Sequence, residues 1–298
     1  MTIVPAGVGA TVNPNRRPTR VPASQVARSL WSMCGRFVSS SPPDELARYF
    51  DVDATAEQVL DQEPNYNTAP TNDVFVVYED GSSRRLDSFR WGLIPRWAKD
   101  PSIGNRMINA RAETVATKGA FKSALAKRRC IIPVDGFYEW RKVPGQKTKQ
   151  PFFIHRPDGE PFAFAGLWEE WTGSPGGKKG TGNGADADEA GEAGDANDAG
   201  DEPAPITIRS ATIITGTPNE KMAEIHDRMP IILPPSAWDA WLSPDENDLD
   251  TLGKFLVPAP ASLIEFHPIS TEVNNVRNKG EHLTHEVDPT TGEVIGET

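Results

Sequence analysis

Residues 172–205 contain no Val, Ile, Leu, Met, Phe, Tyr, Trp or Cys; they consist of Gly, Ala, Asp, Glu, Asn, Thr, Ser, Pro and Lys. Such a stretch cannot bury enough apolar surface to offset the entropy of ordering it, so it is expected to be disordered. Its flanks limit the fold. Residues 162–168 before it and 207–215 after it have the apolar, aromatic and β-branched content of strands. The insertion is therefore expected to be a surface loop of one domain and not a boundary between two. No function is expected to reside in it.

The remaining chain interleaves strands and helices. A helix opens at Ser41-Pro42-Pro43-Asp44-Glu45, with Leu46, Tyr49 and Phe50 on one face. Residues 73–79 and 84–91 flank an Asp80-Gly81 turn and read as a hairpin. A helix is expected to run up to Lys127, followed by a buried strand at 130–134 that passes through Asp135-Gly136 into Phe137-Tyr138-Glu139-Trp140. Further strands are expected at 152–155, 231–233 and 263–267, and helices at 235–242 and 249–256. Regular βαβ alternation, a GxGxxG fingerprint and a P-loop are all missing. The expected class is α+β: a curved, barrel-like mixed sheet flanked by short helices. The boundaries are a disordered leader at 1–32, a domain at 33–280 interrupted by 172–205, and an acidic, frayed tail at 281–298.

Charge is unevenly placed. Residues 1–32 carry four arginines and no acid, residues 172–205 carry eight acids and two lysines, and residues 281–298 carry five acids and no Lys or Arg. Taking these segments from the total of −11 leaves −4 for the core, so the acidic balance does not exclude a local basic groove. No apolar run approaches the ~20 residues that span a bilayer. Two cysteines without CxxC spacing exclude a disulfide framework and a zinc finger, and the cytoplasm is the simplest compartment.

The cysteine at position 34 follows an internal methionine in Met33-Cys34-Gly35-Arg36-Phe37. The leader before it lacks the apolar core of about 7–15 residues that a secretory signal needs. It is expected to be a wrongly assigned start or a segment processed off, with a retained tail as the third alternative. If Cys34 becomes terminal, it carries an α-amine and a thiol on adjacent carbons. The α-amine has a reference pKa of about 7.7–8.0, so about a tenth of it is neutral at pH 7. A neutral amine attacks an aldehyde to give an imine, and the neighbouring thiol closes a five-membered thiazolidine intramolecularly. The alternative is a small apolar cysteine in a buried strand.

Other residues invite chemistry. Glu139 stands in an aromatic strand, either on the solvent face of an edge or in an apolar pocket that raises its pKa. His226 lies at a helix end beside Asp227 and Arg228, either structural or catalytic. His155, His267, His282 and His285 are read as structural, and no metal site is expected. Asn109 and Arg111 alternate in an extended segment and share one face, suited to oriented hydrogen bonds and a phosphate fork or to a plain surface turn. Trp91, Trp97 and Pro70 are core fillers or wedges against unstacked bases. Cys130 is read as structural.

Seven stretches in fixed order resemble one family, the SOS response-associated peptidase (SRAP) or abasic-site processing proteins. They are Met33-Cys34-Gly35-Arg36-Phe37, Tyr66-Asn67-Thr68-Ala69-Pro70, Trp91-Gly92-Leu93-Ile94-Pro95, Asn109-Ala110-Arg111-Ala112-Glu113, Asp135-Gly136-Phe137-Tyr138-Glu139-Trp140, His226-Asp227-Arg228-Met229-Pro230 and His267-Pro268-Ile269-Ser270. The resemblance implies a sensor and shield of abasic sites in single-stranded DNA, acting in DNA damage repair and the SOS response. Cys34 would form a thiazolidine crosslink with the sugar aldehyde, Glu139 and His226 would move protons, and Asn109 would position the Cys34 end. Arg36, Arg111 and Arg228 would bind phosphates, while Asn67, Pro70 and Trp97 would line the DNA path. A weak AP-lyase activity and peptidase action on its own leader are also implied. The implied protein is a cytoplasmic monomer, on the nucleoid when bound to DNA, with no cofactor and no membrane. A cysteine peptidase with Cys34 as nucleophile, and a non-covalent single-strand-binding protein, are the competing classes. The 32-residue leader departs from the family pattern, because an amide at Cys34 could not form the ring.

Overall fold

Side chains alternate between two apolar surroundings along almost every long strand of this chain, as a strand period of two requires when both faces are buried. The computed structural model describes residues 34–145, 148–173 and 204–296. The expectation of a disordered leader lies outside the described residues, as does most of the acidic insertion. In chain order the elements are β1 (Phe37–Ser39), α1 (Pro43–Tyr49), β2 (Ala54–Thr55), β3 (Asn65–Thr68), β4 (Asp73–Asp80), β5 (Ser83–Trp91), β6 (Asn109–Arg111), α2 (Lys122–Lys127) and β7 (Arg129–Val134). They continue with β8 (Gly136–Arg141), β9 (Gln150–His155), β10 (Phe162–Gly173), β11 (Ile206–Gly216), α3 (Glu220–Ala223), β12 (Met229–Pro230), α4 (Trp238–Leu242), α5 (Leu249–Gly253) and β13 (Glu265–Pro268).

Five strands close a mixed barrel. β5 pairs with β4, β4 with β7 at Val77↔Ile131, β7 with β10 and β10 with β11, all antiparallel. β11 returns to β5 in parallel, Ser210 against Arg90 and Ala211 against Trp91. β10 and β11 start and end their pairing at Gly166↔Ile213 and Gly173↔Ile206, so the insertion leaves and re-enters at adjacent points of one hairpin. The expected α+β architecture with a barrel-like mixed sheet is what the chain adopts.

Val74, Val76, Phe89, Trp91, Ile132, Phe162, Phe164 and Ile213 pack on one face of these strands. Phe75, Val77, Leu86, Ile131, Ala165, Leu167 and Ile214 pack on the other, against Leu46 of α1, Leu125 of α2, Trp241 of α4 and Leu252 of α5. Each fully buried Phe or Leu contributes about 1.5–3 kcal/mol. Arg129, buried at the start of β7, donates to the carbonyls of Leu125, Ala126, Trp241, Ser243 and Glu246. It thereby satisfies orphan carbonyls at the ends of α2 and α4.

A second, antiparallel sheet runs in the order β13-β9-β8-β1-β3. The chain turns from β7 of the barrel into β8 of this sheet at a single residue, Asp135. The Asp135 carboxylate accepts the backbone N–H groups of Ser40 at 2.5 Å and Ser41 at 2.9 Å, pinning the corner to β1. Gly136 is required there, since a Cβ would lie 2.3 Å from the Phe153 ring.

Three expectations are corrected. The helix before Lys127 is confined to α2, because residues 114–121 spend their backbone on turns such as Thr117 N–H to Thr114 O. The strand expected at 231–233 is reduced to one bridge, Phe164↔Ile232, and the regular pairing falls just before it in β12. The acidic end does not fray up to residue 296. Leu283 and Val287 are buried, Val287 N–H donates to Pro268 O at 3.0 Å, and Leu283 joins Val38, Tyr138, Ile269 and Val273 in an apolar cluster.

Candidate active site

β1 and β8 pair at Phe37↔Phe137 and Val38↔Gly136, and Tyr138 N–H donates to Arg36 O at 3.0 Å. In an antiparallel ladder this register sets residues before Phe37 beside residues after Phe137. Cys34 therefore meets Glu139. The backbone nitrogen of Cys34 donates to Glu139 Oε1 at 2.6 Å, and the charge of the same carboxylate acts on the Cys34 thiol.

The strand period sets where Glu139 points. Phe137 and Glu139 share a face, and Phe137 packs edge-on against Phe162 and Phe164. β8 lies between β1 and β9, so it has no solvent edge, and Glu139 is 3% exposed. Of the two surroundings open to this carboxylate, the apolar pocket is the one found. Burial pushes its pKa up, while His226 and the Cys34 hydrogen bonds pull it back. Burial likewise pushes the Cys34 thiol well above its ordinary value, and the Glu139 carboxylate adds to the rise. Cys34 also holds a left-handed φ of 46°, a conformation that non-glycine residues seldom adopt.

His226 arrives from the far side of the barrel. Asn219 caps α3 by accepting Met222 N–H at 2.9 Å, and His226 N–H donates to Met222 O at 2.9 Å as the helix ends. The His226 ring is half-buried, with Nε2 4.0 Å from Glu139 Oε2. Its Nδ1 accepts the Arg228 backbone N–H at 3.2 Å and lies 3.2 Å from Asp227 Oδ1. Cys34, Glu139 and His226 thus form one chain of contacts drawn from three separated stretches of sequence.

The other residues divide by exposure. Asn109 is half-buried opposite Ile213 of β11, and Arg111, two positions on, is exposed. Trp97 is 64% exposed and Pro70 is partly exposed. Asn67 is wholly buried: it accepts from Arg36 Nη1 at 2.7 Å and donates to the carbonyls of Val273, Asn275 and Asn278 at 3.0–3.2 Å. With its amide spent in this way, it holds the 273–278 segment and does not face a strand outside. Arg36 is half-buried and also donates to Val273 O at 2.8 Å. Arg228 is spoken for as well: both terminal nitrogens grip Glu113, and Nη2 donates to Thr215 O at 2.6 Å. Trp91 is core.

Two participants escaped sequence reasoning as individuals. Glu113 is the last residue of the Asn109-Ala110-Arg111-Ala112-Glu113 stretch, and its coupling to Arg228 has no sequence signal beyond opposite charge. Lys279, whose Nζ donates to Asn67 O at 2.5 Å, comes from an irregular segment. Among the described residues no three His, Cys, Asp or Glu side chains converge as a metal ion requires. None of the described helices is long and apolar enough to cross a membrane.

Residues 33–276 match the family model described as SOS response associated peptidase (SRAP). The chain is 39% identical over 251 residues to the abasic site processing protein YoaM of Bacillus subtilis (strain 168), covering 84% of this chain and 97% of that protein. It is 32% identical over 262 residues to the abasic site processing protein YedK of Escherichia coli (strain K12), covering 86% and 100%. The abasic site processing protein HMCES of Rattus norvegicus is 32% identical over 270 residues, covering 83% and 74%. Among solved structures, a crystal structure of a protein from Bacteroides thetaiotaomicron superposes with a TM-score of 0.67 at 21% identity, covering 86% of this chain and 100% of that one, and shares the fold.

Proposed function

Because the chain belongs to the SOS response-associated peptidase family by its match over residues 33–276, we propose that it processes abasic sites in single-stranded DNA by covalent capture through Cys34. The names of its relatives YoaM, YedK and HMCES, all abasic site processing proteins, support the lesion. One observation carries the chemistry: the nitrogen of Cys34 donates at 2.6 Å to the buried carboxylate of Glu139, which sets a proton acceptor beside both nucleophiles of this residue.

The reaction requires Cys34 to be terminal, because an amide nitrogen has no usable lone pair. The released α-amine attacks C1′ of the ring-opened sugar, and the carbinolamine loses water to give an imine. Sulfur then adds to the imine carbon as its proton passes to Glu139, and Glu139 returns a proton to the nitrogen. Aldehyde and aminothiol become thiazolidine and one water, with Glu139 unchanged. His226 moves the proton on the sugar oxygen during ring opening, a task its Nε2 position beside Glu139 suits. The exposed guanidinium of Arg111 takes a flanking phosphate, and the exposed Trp97 indole stacks on an unpaired base. The imine also acidifies the C2′ protons, so slow strand cleavage by β-elimination accompanies capture.

A peptidase that acts in trans needs a lowered thiol pKa. Here burial and Glu139 raise it. We confine peptidase action to release of the protein's own leader, where intramolecular proximity offsets a weakly ionised thiol and the C-terminal partner of the bond holds a strained φ of 46°. That strain, on the order of 1 kcal/mol, vanishes once the preceding peptide is gone.

The test pairs intact mass with an adduct assay on single-stranded DNA bearing one abasic site. A mass beginning at Cys34 and an adduct that survives denaturation are expected, and Cys34→Ala abolishes the adduct. A stable adduct with Cys34→Ala would exclude the thiazolidine. Undiminished DNA binding with no adduct from wild type would instead favour a non-covalent binder.

A further inference from the structure

Thr215 of β11 is paired with Arg111 of β6 and with Pro230 of β12. Its carbonyl accepts two donors, Ala112 N–H at 2.9 Å and Arg228 Nη2 at 2.6 Å. The Arg228 side chain therefore crosses β11 and ends on the β6 side, where both its terminal nitrogens meet the two oxygens of Glu113. This is the planar fork geometry in which a guanidinium binds a carboxylate most rigidly. Arg228 is 13% exposed and Glu113 47%, so the pair is a lid of carboxylate over a guanidinium already tied to the backbone.

We propose that Glu113 is a positioning residue for proton transfer: by clamping Arg228 it holds the His226 ring in the tautomer that turns its Nε2 proton toward Glu139. The inference rests on the function proposed above. Two groups compete for His226 Nδ1. The Arg228 backbone N–H donates to it at 3.2 Å, which requires a bare nitrogen, while the Asp227 carboxylate 3.2 Å away favours a protonated one. When the N–H wins, the proton of the neutral ring resides on Nε2, 4.0 Å from Glu139 Oε2. Nothing in the ring itself decides this contest. The side chain of Arg228 biases it, by anchoring the peptide that carries the N–H, and Glu113 together with Thr215 O holds that side chain in place. The Arg228 hydrogen bonds also hold the Glu113 carboxyl below its ordinary pKa, so the clamp stays charged through neutral pH.

Nitrogen-15 spectra of the histidine rings, taken in wild type, Glu113→Ala and Glu113→Gln at a pH where His226 is neutral, test the tautomer directly. Wild type is expected to show the Nε2–H form, Glu113→Ala a rise in the Nδ1–H form, and Glu113→Gln, which keeps one acceptor oxygen, an intermediate. In parallel, the adduct rate at saturating single-stranded DNA with one abasic site is expected to fall roughly tenfold in Glu113→Ala, with the half-saturating DNA concentration nearly unchanged. An unchanged tautomer in Glu113→Ala, or a loss confined to DNA affinity, overturns the inference and makes Glu113 a competitor for phosphate. If Glu113→Ala fails to fold, the isosteric Glu113→Gln carries both measurements. If wild type forms no adduct, the proposed function fails while the spectra still decide the role of Glu113.

Discussion

Cys34 offers two nucleophiles, and one buried carboxylate, Glu139, accepts from its nitrogen. Removing that carboxylate with Glu139→Gln keeps the shape and deletes the base, so the adduct rate is expected to fall about 10²-fold or more in a quench-flow assay. The pH dependence follows from the raised pKa. Glu139 works as a base only when ionised, so below the limb set by the α-amine the rate falls a second time as pH drops through a value above the ordinary carboxyl pKa of about 4.3, and in Glu139→Gln only the amine's limb remains. Stability runs the other way. The folded carboxyl keeps its proton at a pH where the unfolded one has lost it, so the folded state binds more protons and stability declines as pH rises from the unfolded pKa to the folded one. Glu139→Gln is therefore expected to raise Tm at pH 7 and to gain little at pH 4, measured by calorimetry. Cys34, Glu139 and His226 stood out in the sequence as candidates because each carries chemistry out of keeping with its neighbours. Which surroundings Glu139 occupies was not legible, since Phe137-Tyr138-Glu139-Trp140 reads equally as an edge or an interior strand.

The elements around the site are held by polar hubs more than by helix or strand propensity. Asn67 ties β3 to three carbonyls of the 273–278 segment and to Arg36, so Asn67→Ala leaves several buried groups unpaired and is expected to cost about 2–4 kcal/mol in urea titration. The docked C-terminal segment depends on Leu283, and Leu283→Ala is expected to cost about 2–4 kcal/mol and to speed proteolysis after residue 280. The hairpin of β4 and β5 was legible to within a residue, because a turn signal separates two alternating runs. The docking of the C-terminal segment was not. Its acids suggested fraying, and among its described residues only two apolar side chains, Leu283 and Val287, are buried against that. Composition counts charges, whereas docking needs only a few side chains with a cavity to fill.

At the scale of the whole molecule, a chain of net charge −11 has to bind a polyanion through local cations. Each phosphate contact on a single strand contributes about −0.7 to the slope of log K against log salt. Arg111→Ala is expected to weaken DNA binding and to flatten that slope by about 0.7, read from fluorescence anisotropy across a salt series. Replacing residues 174–203 with a four-residue turn shortens the β10–β11 connection by several-fold. It is expected to add about 1–2 kcal/mol of stability through loop entropy and to leave the adduct rate unchanged.

The sequence by itself determined that an α+β fold with a barrel-like sheet would form, and it singled out a cysteine, a glutamate and a histidine as candidates for chemistry. Those conclusions rest on composition, period and reactivity, which are local properties. Only the tertiary structure decided that Glu139 is buried against the nitrogen of Cys34, that Asn67 and Arg36 serve as anchors, and that Glu113 reaches His226 through Arg228. Each depends on strand register and on which side of β11 a side chain crosses. Both are set by pairings between distant segments, β1 with β8 and with β3, and β11 with β6 and β12, that no local pattern encodes.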